Sequence, residues 1–167
     1  ELQYDSIYHE HLFYFTIKTI SNLFLKYNLY PFDVFSSPIS GGSLVLIFSK
    51  KLKKKKEILK KMEKDEAKNN LNKIKKWKIF AKKSKIHAHK FKSDILKSYK
   101  TNGKLFGYGA SARSSTLLNY CKLSNKHIDF IIDQNPLKQN LYTPGTNIPI
   151  RSIKDSVKNL ANKNMVN

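Results

Sequence analysis

Within Tyr4–His11 (Tyr-Asp-Ser-Ile-Tyr-His-Glu-His), the last four residues set two histidines, a carboxylate and a phenol side by side. Those side chains supply general bases, an acid and hydrogen-bond donors, the groups that proton transfer requires. His9-x-His11 could equally be half of a metal site, or the rings could be ordinary partly buried residues. No third and fourth ligand of suitable spacing follows, so no metal is assigned. A second cluster lies at Lys104–Tyr120, where Gly107, Gly109 and Ala112 take the three small positions of a G-x-G-x-x-G/A turn. Such a turn lets backbone amides approach a phosphate at a helix N-terminus. About 20 residues further on, the apolar run His127–Ile132 closes on Asp133, where an acid that binds ribose would sit. On spacing alone, a phosphate-bearing ligand such as a dinucleotide is the expected occupant.

The elements that would position these groups follow from periodicity. Apolar residues Phe13, Ile17, Ile20, Phe24 and Tyr27 fall at helical spacing and predict an amphipathic helix over Leu12–Leu29, stopped before Pro31. Phe32–Ser36 and Ser43–Phe48 read as strands separated by Pro38 and Gly41-Gly42, as at the end of a sheet. Lys50–Lys68 is lysine-dense with a thin apolar face (Leu52, Ile58, Leu59, Met62), continued by Leu71, Ile74, Trp77, Ile79 and Phe80. Because lysine surrounds this helix instead of lining one side, a connector is expected rather than a membrane-surface helix. His87 and His89 lie on its continuation and are expected in solvent. Lys85–Lys100 predicts a further helix with Ile86, Phe91, Ile95, Leu96 and Tyr99 inward, ended by Asn102-Gly103. The glycine turn, its helix, the strand to Ile132, turns at Asp133–Pro136 and Thr143–Thr146, and a short strand Ile148–Ile150 complete the pattern. Helix and strand alternating in this way predict a parallel, doubly wound sheet.

Length and charge bound the function. The 167 residues can bury one sizeable core or parts of two domains. The formal charge of +20 favours polyanions, yet nearly all of it is lysine, with arginine only at Arg113 and Arg151. Dedicated nucleic-acid readers favour arginine for its fork geometry, so a basic nucleic-acid binder is the weaker alternative and no nucleic-acid partner is expected. No apolar run approaches the roughly 20 residues that span a bilayer, and no charged-then-apolar leader is present, so the expectation is a cytoplasmic protein without a membrane partner. Cys121 is the sole cysteine and reads as a small apolar residue on the helix after the turn. Both ends read as cut, since the chain starts at Glu1 and stops in a polar run, Ser152–Asn167.

Several of these segments, taken in order, resemble the C-terminal part of the nucleotide-sugar C-methyltransferases: Tyr4–His11, Ser40-Gly-Gly-Ser-Leu44, Gly107-Tyr-Gly-Ala110, Thr116–Tyr120, Asp133–Gln139 and Pro144–Ile150. The resemblance implies an α/β chain: the end of a class I methyltransferase sheet over residues 1–50, a Lys-rich helical connector over 51–84, and a truncated, partial Rossmann-like parallel sheet over 85–167. It implies an enzyme that uses S-adenosylmethionine to methylate carbon in a keto-deoxysugar nucleotide, with the main donor site outside this chain, in a missing N-terminal methyltransferase portion. Zinc is implied only in the missing N-terminal module. His11 would be the base, Glu10 would orient or polarise the site, and Tyr8 would donate to substrate or enolate oxygen. Gly107, Tyr108, Gly109, Ala110, Ser111, Arg113 and Asp133 would form the substrate side. Departures from the family pattern are Ser40 where histidine is common, Ser111 in place of proline and Arg113 in place of lysine. The alternative within the same resemblance is a nucleotide-sugar-binding half-domain with no activity of its own.

Overall fold

A computed structural model describes residues 2–39, 42–103 and 105–161. Ser40 and Gly41 of the Ser40–Ser43 motif, Lys104 at the head of the glycine-turn stretch, and the tail from 162 lie outside the described residues. The chain is mixed α/β and divides into two compact units, Phe13–Ala81 on one hand and Glu1–Leu12 with Lys82–Asn167 on the other. The boundaries fall at 12/13 and 81/82, so the Tyr4–His11 motif belongs to the same unit as the glycine turn.

In the Phe13–Ala81 unit, helix α1 (Ile17–Leu25) is followed by the antiparallel hairpin β1 (Tyr30–Ser37) and β2 (Ser43–Ser49), then α2 (Glu57–Lys68). The α1 helix begins later than its apolar period predicts, because Thr16 and Thr19 close a reciprocal cap on each other's backbone amides. That cap leaves Leu12, Phe13, Tyr14 and Phe15 outside the helix and exposed, and Tyr27 beyond its end is 71% exposed. The stripe that does bury is shorter: Ile17, Val34 and Leu59 form the core with Leu46 and Met62, and Phe24 stacks on Phe48 at 4.6 Å. The expected continuous connector helix is two helices, interrupted at 69–73 where Asn70 takes a positive φ.

The other unit is built on a three-stranded parallel sheet, β3 (Phe106–Tyr108), β4 (Phe130–Ile132) and β5 (Ile150–Arg151), in that order. The order runs one way, so the described strands form a partial Rossmann-like sheet without the reversal that defines a doubly wound one. Helix α4 (Ala112–Tyr120) connects β3 to β4, whereas β4 reaches β5 through a helix-free loop. β4 is also shorter than the apolar run His127–Ile132, because residues 125–127 are spent in a turn. The long helix α3 (Ile74–Asn102) contributes Ala88, Phe91 and Ile95 to the core, where they meet Leu117, Leu118, Cys121, Leu123, Ile128, Ile131, Ile148 and Ile150. A final helix, α5 (Ile153–Ala161), starts at Ser152, whose hydroxyl accepts from the Asp155 amide at 3.0 Å.

The helix-free loop is held by buried hydroxyls. Thr143 and Thr146 meet at 2.6 Å, and the Ile148 amide donates to Thr143 Oγ1 at 2.9 Å. Gly145 sits at φ 75° directly under Asn119, where an added Cβ would come within 2.3 Å of Oδ1. Asn119 has little freedom to yield, since its amide donates to the carbonyls of Ser115 and Pro144. Gly145→Ala therefore combines backbone strain with the loss of those bonds, and is expected to cost about 1–3 kcal/mol in denaturant unfolding. Adding Asn119→Ala relieves the clash, so the double variant should show coupling; strictly additive losses would contradict this packing.

Candidate functional site

The Tyr4–His11 segment is not an extended strand. One turn of 3-10 helix, Tyr4–Ser6, leads into a tight turn in which the His11 amide donates to Tyr8 O at 2.9 Å. His9 and Glu10 become the corner residues, and Tyr8 and His11 are brought face to face. Their rings lie 4.4 Å apart, with the Tyr8 hydroxyl 3.4 Å from His11 Nε2. His11 Nδ1 lies 2.9 Å from the carbonyl oxygen of Ser6. A carbonyl can only accept, so Nδ1 carries a proton, and in the neutral ring the lone pair is on Nε2, next to the phenol. Geometry thus sets up the nitrogen that a general base uses. Glu10 is apart from this pair: its carboxylate approaches His9 Nε2 at 4.0 Å, and both side chains are largely in solvent.

Two neighbours of the turn fasten it to the sheet unit. Tyr4 is 5% exposed, its ring 4.9 Å from Tyr120, and its hydroxyl reaches His87 Nδ1 at 2.8 Å and Cys121 Sγ at 3.8 Å. Burial pushes both the Tyr4 phenol and the Cys121 thiol above their ordinary values, which keeps them neutral. His87 is exposed, as expected, and is in addition a partner of the motif, stacking on Phe91. Cys121 is buried after α4 as a small apolar residue. Asp5 Oδ2 accepts from Arg113 Nε and Nη2, both at 2.7 Å. Hydrogen bonding to Asp5 raises Arg113 further above its ordinary value, with Tyr8 adding to the effect.

The glycine turn keeps the predicted shape, with Gly109 at φ 89° and Gly107 close-packed on Ile131, and several of its donors are engaged internally. The Gly109 amide donates to Ile132 O at 2.7 Å, and the Ala110 amide to Asp133 Oδ2 at 2.7 Å. Ser111 and Ser114 cap α4 reciprocally, each side chain accepting from the other's amide. Asp133 Oδ1 accepts from the Asn135 amide at 2.8 Å, and Lys138 Nζ donates to Ala110 O at 2.9 Å while standing 3.7 Å from Asp133. The carboxylate that spacing places for a ribose accepts these bonds within its own turn. Tyr108 projects outward, 68% exposed, its hydroxyl accepting from Gln134 Nε2. The Gly109, Ala110, Ser111 and Ser114 amides and the Asp133 carboxylate thus all have partners within the turn.

Sequence reading picks out Tyr8, His11 and the glycine turn but assigns them to separate domains, whereas the structure groups them in one compact unit; it also misses the residues that connect them: Asp5, Tyr4, Ser6, His87 and Lys138. Asp5 and Tyr4 stand inside the quoted motif, but their partners lie far along the chain. Among the described residues no group of three or more His, Cys, Asp or Glu is arranged to hold a metal, and no helix is long and apolar enough to cross a membrane.

Residues 38–163 match the family described as the C-methyltransferase C-terminal domain. The chain belongs to that family. Over 154 residues it is 30% identical to C-methyltransferase NovU of Streptomyces niveus, a match that takes in 90% of this chain and 36% of NovU. The chain thus spans little more than a third of that relative's length. Family membership reaches across both structural units, since the matched residues include β2, α2, α3 and the whole parallel sheet.

The Asp133 contacts carry a pH signature. The Asn135 amide, then the Ala110 amide and Lys138, hold its carboxyl below its ordinary value against the opposing effect of burial. A depressed carboxyl contributes stability that is present above its unfolded-state value of about 4 and is lost as pH falls through the lower folded value. Thermal unfolding of the wild-type chain should therefore soften below about pH 4, and Asp133→Asn should flatten that part of the profile. Identical acid profiles for the two proteins would show that Asp133 does not hold the turn.

Proposed function

We propose that this chain is part of a C-methyltransferase that acts on a nucleotide-linked keto-deoxysugar, and that its Tyr8–His11 turn carries the proton-abstraction step. The observation that bears most weight is the His11 tautomer: Nδ1–H is committed to Ser6 O, which leaves Nε2 as the basic nitrogen beside the Tyr8 hydroxyl. A carbon next to a ketone becomes nucleophilic once a base removes its proton and donors hold the resulting enolate oxygen. On this reading His11 Nε2 takes the proton, the C–H electron pair enters the enolate, and the Tyr8 hydroxyl donates to its oxygen. Glu10, at the exposed corner of the turn, polarises the entrance to the site. S-adenosylmethionine, when bound, supplies an electrophilic methyl group; its site belongs to a methyl-transfer portion preceding this chain, as zinc belongs to a module further upstream.

Along the sequence the same reading gives residues 1–50 as the end of the methyl-transfer domain, 51–84 as the join and 85–167 as the Rossmann-like domain, with the first twelve residues grouped in the compact unit of the last. In the glycine turn, Gly107, Gly109 and Ala110 shape the backbone, and Asp133 keeps it closed. The exposed side chains of Tyr108 and Ser111 are the groups left to meet the sugar nucleotide. Substrate recognition through free backbone amides, as in a dinucleotide cradle, is not part of this proposal.

The test is methyl transfer from labelled S-adenosylmethionine to a 4-keto sugar nucleotide, with this chain and with a full-length version carrying the preceding portion. The full-length version should be active and the short chain inactive. His11→Ala in the full-length version should lower turnover about 10²–10⁴-fold, the usual worth of a positioned base, while donor binding stays intact. Activity in neither form would favour a nucleotide-sugar-binding half-domain, and undiminished turnover in His11→Ala would remove the base from this turn.

A further inference from the structure

The Tyr8–His11 turn has little packing of its own. His9, Glu10, His11 and Leu12 are exposed, and Ile7 before them is 52% exposed. An unsupported surface turn samples many geometries, and a base that wanders by an ångström loses much of its effect. Its support comes from the residue pair just upstream. Tyr4 plugs the space beside Tyr120 and Cys121, and Asp5 receives two converging guanidinium donors from Arg113, 108 positions further along the chain. Arg113 stands in the first turn of α4, which the Ser111–Ser114 cap holds rigid. The two side chains are only 36% and 25% exposed, so the pair is partly shielded from solvent.

We infer that Asp5 and Arg113 are positioning residues for the His11 base: the ion pair clamps the Tyr8–His11 turn to the start of α4. Arg113, whose type and place beside a glycine turn suggest a phosphate ligand, acts on the reaction through the setting of His11. The inference rests on the catalytic reading of His11 proposed above. Arginine is needed rather than lysine, because two donors from one planar fork fix an angle as well as a distance, whereas an ammonium supplies only a point charge. A single partly exposed ion pair adds little to global stability, so the expected readout is local order around His11 and not the unfolding midpoint.

The experiment is nuclear magnetic resonance on this chain, comparing wild type with Asp5→Asn, Arg113→Gln, Arg113→Lys and the charge-swapped Asp5→Arg/Arg113→Asp. Two signals are read: the contact between the Tyr8 and His11 rings, and the separation of the two His11 ring-nitrogen shifts that marks a fixed tautomer. Amide protection at Ile131 and Ile150 reports the core. Asp5→Asn and Arg113→Gln should lose the ring contact and merge the nitrogen shifts with core protection unchanged, Arg113→Lys should lose part of both, and the swap should restore them in part. Unchanged His11 signals in Asp5→Asn and Arg113→Gln would overturn the clamp. If the single variants also lose core protection, the swap decides: a restored core without restored His11 signals overturns it as well. Should the His11 signals respond as expected while His11→Ala leaves methyl transfer undiminished, the clamp stands and the catalytic reading falls.

Discussion

A single carboxylate organises the glycine-turn unit. Asp133 leaves the end of the central strand β4 and holds the Ala110 amide of the turn that follows β3, while Lys138 draws in the carbonyl of the same residue. Two neighbouring strand ends are thus tied by charge-assisted bonds at the edge where open α/β sheets place their ligands. The Ala110 amide and the Asp133 carboxylate are thereby engaged within the turn. A glycine pattern that in other settings signals a dinucleotide here secures the strand-to-helix junction from which Arg113 projects.

From that junction the order extends to the Tyr8–His11 turn. Rigid α4 presents Arg113, Arg113 holds Asp5, and the short 3-10 turn carries Tyr4 into the core and Ser6 O under His11 Nδ1. Each link is ordinary in strength, but together they convert an exposed stretch into a turn with a defined histidine tautomer. Preorganisation of this kind lets a modest base act on a weakly acidic carbon, because the geometry is settled before substrate arrives.

Much of the fold was legible in the sequence, because strand, glycine turn and helix are local patterns whose spacing follows backbone geometry. The exact helix start at Ile17 was not, since the apolar period runs on through Phe13 and only the Thr16–Thr19 cap stops it. The loop from Asp133 to Pro149 was readable as turns, yet its buried Thr143–Thr146 pair depends on tertiary closure. At the candidate site the residue types were legible and their geometry was not. Whether Tyr8 faces His11 depends on one backbone bond that turns the chain, and Asp5 and Arg113 meet across 108 residues. Asp133 lies where its spacing places it, and its bonds to the Ala110 and Asn135 amides were not legible in the sequence.

The chain belongs to the C-methyltransferase C-terminal domain family. The central claim is that His11 removes the proton beside a ketone. The direct measurement is exchange of that hydrogen with D2O, in a 4-keto sugar nucleotide bound to a full-length version without methyl donor. Exchange should proceed with the wild-type protein and disappear in His11→Ala. Exchange that continues at the wild-type rate in His11→Ala would contradict a histidine base in this turn.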